Sequence, residues 1–431
     1  MQHSVFRQLA GPGTRGAAVA RLIFVNARIK EIARLQASAH KIPGLPRKPG
    51  RLPRSLRELS LQVLAGCLTF LLPACDVKMP EPPPDIFHKS QVVPVGQGPG
   101  YLTAGDLNQD GFDDLVVCNS KSHSISLIFG KGDGTFETPV TEKTPLEPSF
   151  ALIADLNRDQ IPDLVYNSRG ADAILTRLGR GEGRFLPAMH LKTGKVPLAV
   201  IPGDFNQDGA LDLAVTLTFN KVQIFLGAGD GTFKPGDTYQ TGSRSLSGVA
   251  GDFNRDGHPD LALAVSSNTS SSIRLYSGDG TGTFHQTGRI GLNIRPLVLV
   301  KRDMNADGLD DLVCSTAIQD NLYAFFARPD GSFAEPVAFS GGGGPLSLAV
   351  ELFDGDRWPD VVVANSRSSS FSLITRNRDG GFYFPTRDYV TGGTPLALAS
   401  GDFNADGKRD VAVASSTDAT VEIFLNQTRL P

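Results

Sequence analysis

Six copies of one acidic nonapeptide dominate the chemistry that this 431-residue chain can carry. Each offers side-chain oxygens at its first, third, fifth and ninth positions: Asp106, Asn108, Asp110 and Asp114; Asp155, Asn157, Asp159 and Asp163; Asp204, Asn206, Asp208 and Asp212; Asp252, Asn254, Asp256 and Asp260; Asp303, Asn305, Asp307 and Asp311; and Asp402, Asn404, Asp406 and Asp410. In five copies a glycine at the sixth position permits a sharp bend, and a backbone carbonyl follows at the seventh. Hard oxygens at 1, 3, 5, 7 and 9 around such a bend match the first part of an EF-hand loop and suit Ca²⁺. Without a cation, carboxylates ~5 Å apart would repel by roughly 3 kcal/mol per pair at an effective dielectric near 20. Five to six calcium ions are therefore expected. A single copy has a polar Asx-rich turn without metal as its lesser reading; seven in register favour the ion more strongly.

Two copies depart from the pattern. The loop from Asp155 has Gln160 in place of glycine, and a left-handed glutamine costs of order 1 kcal/mol, which predicts a weaker site. The seventh copy, Leu352 to Asp360, keeps Asp354, Asp356 and Asp360 but has Arg357 at the glycine position. No calcium is expected there, with the Arg357 guanidinium partly replacing the ion.

The copies recur every 48 to 51 residues, and a proline stands seven residues before all but one of them; Ser245 is the exception. Proline is tolerated at the first residue of a strand, which places the start of a strand before each loop. Within one unit, 197–201, 211–215 and 222–226 read as three short apolar strands. The glycine turn from Gly227 to Phe233 and a more polar fourth strand follow. Four short strands per ~50 residues, punctuated by glycine and Asx, predict a radial propeller blade. The last unit stops after its third strand at Leu425, while Phe87, 49 residues before the first turn phenylalanine Phe136, has no inner strands ahead of it. Residues 87–95 are thus expected to complete the last blade and leave no open sheet edge. The fold class is all-β, a seven-bladed β-propeller closed by its N- and C-terminal strands.

The Gly-Asp-Phe-Asn-x-Asp-Gly-x-x-Asp-Leu core and the Ile-Phe-x-Gly-x-Gly-Asp-Gly-x-Phe turn resemble FG-GAP/VCBS repeats, the family that includes the integrin α-subunit head. The resemblance covers 86–427 and implies a calcium-loaded propeller that binds ligands at surfaces; it does not fix the ligand. It also implies that ligands meet the face bearing the loops between second and third strands. There the polar loops place Lys121, Arg169 and Arg367 beside Asn and Ser residues, a set able to grip an acidic saccharide or carboxylate through charge-assisted hydrogen bonds. Recurrent solvated turns are the plainer reading of the same residues.

Charge is segregated along the chain. Residues 1–60 carry twelve basic and two acidic residues, leaving 30 basic and 43 acidic in the remainder. No basic nucleic-acid face is expected in the folded part. No apolar run reaches the ~18 residues of a spanning helix. Residues 1–58 read as a basic extension, and 59–75 as an export signal whose Leu71-Leu72-Pro73-Ala74-Cys75 end resembles a bacterial lipobox, with Cys75 as the lipidated residue. Residues 76–85 read as a proline-rich tether, 86–427 as the propeller and 428–431 as a tail. The four cysteines are too widely spaced for a zinc or disulfide framework.

These features predict an exported, calcium-stabilised, non-catalytic module of the cell envelope or its surroundings. It is expected to be monomeric, to touch the membrane only through a lipid, and to bind a surface protein or a polysaccharide but no nucleic acid. A carbohydrate-binding lectin or a polysaccharide lyase-like enzyme is the alternative. Its longer one-sided insertions are not matched here, because the blades vary by only three residues in length.

Overall fold

The computed structural model describes residues 83–428, apart from 268–269, 317, 377–380 and 383–385. Cys75, the basic extension, the signal segment, the tether before Pro83 and the tail from 429 lie outside the described residues. The described part is built of strands with no helix, arranged as seven four-stranded antiparallel sheets. Each sheet is one blade.

The second strand of each blade, such as Asp114–Asn119, Asp212–Leu217 or Asp360–Asn365, is buried along its length, but for Ser266 at the end of that of blade four. These strands read as unbroken runs of β-branched and small apolar residues because blades stack face to face and neither side meets water. The core accordingly lies between blades. Leu115, Val117 and Ile128 of blade one pack against Ala412, Ala414, Val421 and Ile423 of blade seven, with Phe403 fully buried at their edge. Burying each large apolar side chain of this kind contributes about 1.5–3 kcal/mol.

The first strands begin at Pro99, Pro197, Pro296, Pro345 and Pro395, as the prolines predict. In blade two the strand starts later, at Ala151 rather than Pro148. The first strands surround a central cavity of about 430 Å³, lined among others by Leu198, Leu246, Leu297, Leu346 and Leu396 together with Tyr101 and Phe150. The Tyr101 and Phe150 rings pack at 4.8 Å between centroids, tilted by 42°.

Outer strands differ more than the repeat suggests. Phe233 and Phe284 open continuous outer strands, Phe233–Gln240 and Phe284–Leu292. By contrast Phe136, Phe185 and Phe333 form isolated bridges, and pairing resumes only at Val140, Met189 and Val337. Pro139, Pro187 and Pro336 stand in those gaps and lack the N–H that a ladder needs, although Pro235 of blade three is accommodated within its strand, opposite Phe225 and beside a register shift. Blade four has no proline there and carries the longest outer strand.

Strand Phe87–Pro94 pairs antiparallel with Thr420–Asn426, from Phe87 opposite Asn426 to Pro94 opposite Thr420. Blade seven therefore takes its outer strand from the start of the propeller. Phe87 meets Phe353, Phe371 and Tyr389 of blade six edge-on, at 5.3–5.7 Å between centroids. Tyr389 Oη accepts the Ile86 N–H at 3.0 Å, and Arg387 Nε donates to the Pro83 carbonyl at 3.0 Å.

Antiparallel connectivity sorts the loops by face. The acidic loops and glycine turns, which join first to second and third to fourth strands, share one face. Both ends of the propeller, Phe87 and Asn426, meet on it. The remaining loops form the opposite face.

Candidate metal centres

The loop from Asp204 shows the local geometry. Asp204 Oδ1 accepts the Asp208 N–H at 3.1 Å and its Oδ2 accepts the Gly209 N–H at 2.9 Å. Asn206 Oδ1 accepts the Asp208 N–H at 3.1 Å, and Asp208 Oδ1 accepts the Ala210 N–H at 2.7 Å. These bonds curl the chain around its own side chains. The loops from Asp106, Asp155, Asp252, Asp303 and Asp402 repeat the key contact, in which Oδ2 of the first aspartate accepts the N–H of the sixth residue at 2.8–3.0 Å.

Two backbone positions in each loop are left-handed, not one. Gly209 has φ 81°, and Gln207, two residues earlier, has φ 56°. Gln109, Arg158, Arg255, Ala306 and Ala405 are left-handed at the same fourth position, and Gln160 adopts φ 65° at the sixth. The fourth residue also reaches the next blade. Gln109 Nε2 donates to the Gln160 carbonyl, Arg158 Nη2 to the Asp208 carbonyl and Gln207 Nε2 to the Gly257 carbonyl, at 2.7–2.8 Å. His258 is half-buried, its Nδ1 3.0 Å from Gln207 Oε1, and so faces the neighbouring loop instead of solvent.

The ninth aspartate plays a part that spacing did not reveal. Asp212 is fully buried, with Oδ2 accepting the Phe205 N–H at 2.8 Å and Oδ1 accepting the Gly227 N–H at 2.7 Å. One oxygen thus ties the start of the acidic loop and the other ties the end of the third strand. Asp114, Asp163, Asp260, Asp311 and Asp410 make the same two contacts. So does Asp360, in the copy that lacks the first aspartate: it accepts from Phe353, Asp354 and Arg376 N–H groups at 3.0–3.1 Å. Retention of these contacts where the first aspartate and the sixth-position glycine are lost marks the ninth carboxylate as a latch within the blade.

Burial pushes the Asp114 and Asp410 carboxyls up to about 7 and Asp311 to about 6, while the backbone N–H bonds pull the other way. Asp360 is pushed up to about 8, chiefly by burial and then by the neighbouring Asp354.

By donor chemistry the loops fit a calcium ion, since every offered group is a hard oxygen. Among the described residues no three His, Cys, Asp or Glu side chains converge as a metal-ligating group. The third-position asparagine and the seventh backbone carbonyl are therefore needed beside the carboxylates. A carboxylate has about four lone-pair sites, so the ninth aspartate can accept its backbone donors and still face a cation.

The expectation for Arg357 is corrected. Its guanidinium is exposed and lies over the Trp358 ring at 4.6 Å, with no ion pair to Asp354, Asp356 or Asp360 among the described contacts. Gly355 at the fourth position is left-handed, φ 82°, as in the other loops, but Arg357 at the sixth is not, so the bend differs and Arg357 is carried outward.

On the opposite face, Lys121, Arg169 and Arg367 lie on blades one, two and six and do not form a continuous ring. Arg367 is ion-paired to Asp320 of blade five. Lys121 is exposed, and Arg169 is half-buried with its Nε unpartnered. Cys118 and Cys314 are buried free thiols in second strands of blades one and five, and burial pushes both well up.

Comparison with known proteins agrees with this architecture. The FG-GAP-like repeat family matches at residues 106–166, 155–215, 204–263 and 353–427, which together span more than half of the chain. No curated protein matches. Among solved structures, the chain resembles BBS1N in complex with ARL6DN, in crystals soaked with lead, at 13% identity and a TM-score of 0.56, covering 80% of this chain and 98% of that one. A mercury-soaked crystal of the same complex gives the same values. Raptor from Chaetomium thermophilum is similar at 11% identity and a TM-score of 0.55 over 89% of this chain and 33% of that one. At these identities the likeness concerns the fold alone.

Proposed function

The chain belongs to the FG-GAP-like repeat family, and from that premise we propose that it is an exported, calcium-stabilised, non-catalytic propeller that binds a ligand at the cell surface. The observation that carries this reading is the segregation of its loops. Six loops with the same oxygen-rich turn crowd one face, where ions would hold neighbouring blades in register. The opposite face is free of either end of the propeller and is left for recognition. Uniform blade length supports a binding role over a catalytic one, and the lipobox-like end at Cys75 supports export with a lipid anchor.

In each complete loop the first and fifth aspartates, the asparagine between them and the seventh carbonyl would hold the ion. Bound calcium supplies positive charge that offsets the clustered carboxylates. The chain's own residues set the turn, through the Asx bonds and the left-handed fourth and sixth positions.

Calcium titration of the chelator-treated full chain tests the proposal. Five to six ions are expected, and a site filled at 100 times its Kd adds about 2.7 kcal/mol, raising the melting temperature. Identical melting curves in calcium and in chelator would overturn it.

A further inference from the structure

Resting on that binding reading, the geometry points to a linear acidic polysaccharide, a chain of uronate or sulfated sugars, as the ligand, held along an arc of blades one to four on the face opposite the acidic loops. Six cations from four consecutive blades line this arc. Lys121 lies between the second and third strands of blade one, and Arg169 between those of blade two, whose outer strand ends at Lys192. Lys221 opens the third strand of blade three, Arg244 opens the first strand of blade four, and Arg295 follows that blade's outer strand. None of the six has a carboxylate within ion-pair distance among the described contacts. Four are exposed, and Arg169 and Lys221 are half-buried.

The rest of the face is different. Arg367 is held by Asp320, and blade seven contributes Asp418 rather than a cation. Unpaired positive charge on this face is therefore concentrated on blades one to four, in a chain whose acidic excess sits largely in the calcium-type loops of the other face. Within those blades Glu147 is exposed, and Asp172 is ion-paired to Lys195 and lies near Lys192. Cations spread over four blades suit an extended polymer better than a single small anion.

A second, independent observation lies within the same arc. Phe219 is 74% exposed at the tip of the hairpin between the second and third strands of blade three, two residues before Lys221. It holds φ 67°, followed by Asn220 at φ 62°. A bulky aromatic in the left-handed region is strained, and in water it gains nothing from burial to offset that strain. Its flat apolar ring is suited to the C–H face of a pyranose, while the cations around it meet carboxylate or sulfate groups by charge-assisted hydrogen bonds. Single-stranded nucleic acid would call for several such platforms stacking successive bases, and the arc presents one.

Binding of the calcium-loaded full chain to polygalacturonate and to chondroitin sulfate tests the inference, with neutral dextran and single-stranded DNA as comparators. Wild-type binding to at least one acidic polysaccharide is expected to weaken as salt rises. The K121E/R169E/R244E variant is expected to lose about tenfold or more in affinity and to show a shallower salt dependence. F219A should lose about threefold with its salt dependence unchanged. K131E/R180E/R184E, on the acidic-loop face, should bind as wild type. All variants are checked for the wild-type melting curve in calcium. Unchanged binding by the first variant, equal loss in the opposite-face variant, or equal affinity for dextran or DNA would each overturn the inference. Silence across the panel with calcium-dependent melting intact overturns the ligand class and leaves the calcium propeller standing. Loss of calcium-dependent melting itself would instead remove the reading on which the inference rests.

Discussion

Asp360→Ala is expected to destabilise the propeller by about 3–6 kcal/mol with or without calcium. The side chain is fully buried and accepts the N–H groups of Phe353, Asp354 and Arg376. A buried donor left without its partner costs about 1–3 kcal/mol, so three such donors set the scale. Relief of the burial cost of the carboxyl, and then of its repulsion with Asp354, brings the total toward the lower half of the range. Unfolding entropy of about 2.1 cal/mol/K per residue gives roughly 0.7 kcal/mol/K for a propeller of this size, so the melting temperature should fall by about 4–8 °C. Circular dichroism melts of the full chain in calcium and in chelator provide the assay. Asp204→Ala is the companion variant: its hydrogen bonds are exposed, so its deficit should be small in chelator and grow in calcium. Should Asp360→Ala fail to fold, Asp360→Asn retains one acceptor oxygen and is expected to lose about half as much. An Asp360→Ala melt within about 1 °C of wild type in chelator, or a deficit present only in calcium, would refute the latch assignment.

Two further outcomes follow from the same loops. Arg357→Ala should shift the melting temperature by about 1 °C or less, since an exposed cation–π contact is worth about 0.5–1 kcal/mol. A larger loss in thermal melts would return the guanidinium to the role of surrogate cation. Gln160→Gly should stabilise the chain by roughly 1 kcal/mol and tighten calcium binding in loop two, because Gln160 is held at φ 65°; calorimetric titration that shows no gain in either quantity would refute this.

Much of the fold was legible in the sequence. The ~50-residue period, the proline before each loop and the position of Phe87 together predicted blade count and strand order, because a repeat multiplies each weak local signal. Side-chain types at fixed spacing likewise exposed the oxygen-rich turns. Backbone conformation was only half legible: the glycine announced one left-handed residue, whereas Gln109, Arg158 and Gln207 gave no sign that theirs was a second.

What the tertiary structure alone decided depends on partners distant in sequence or belonging to the backbone. Asp212 reads as a ninth ligand, yet its two oxygens accept N–H groups seven residues before it and fifteen after, and a backbone donor has no signature in a string of side chains. Arg367 reads as a free cation until the ring brings Asp320 of the preceding blade against it. Arg357 reads as a substitute ion until the loop loses the left-handed sixth position and the guanidinium lies over Trp358. The cationic arc was only partly legible, through Lys121 and Arg169. Its other members are scattered from Lys192 to Arg295, and the strand ends of four consecutive blades bring them onto one face.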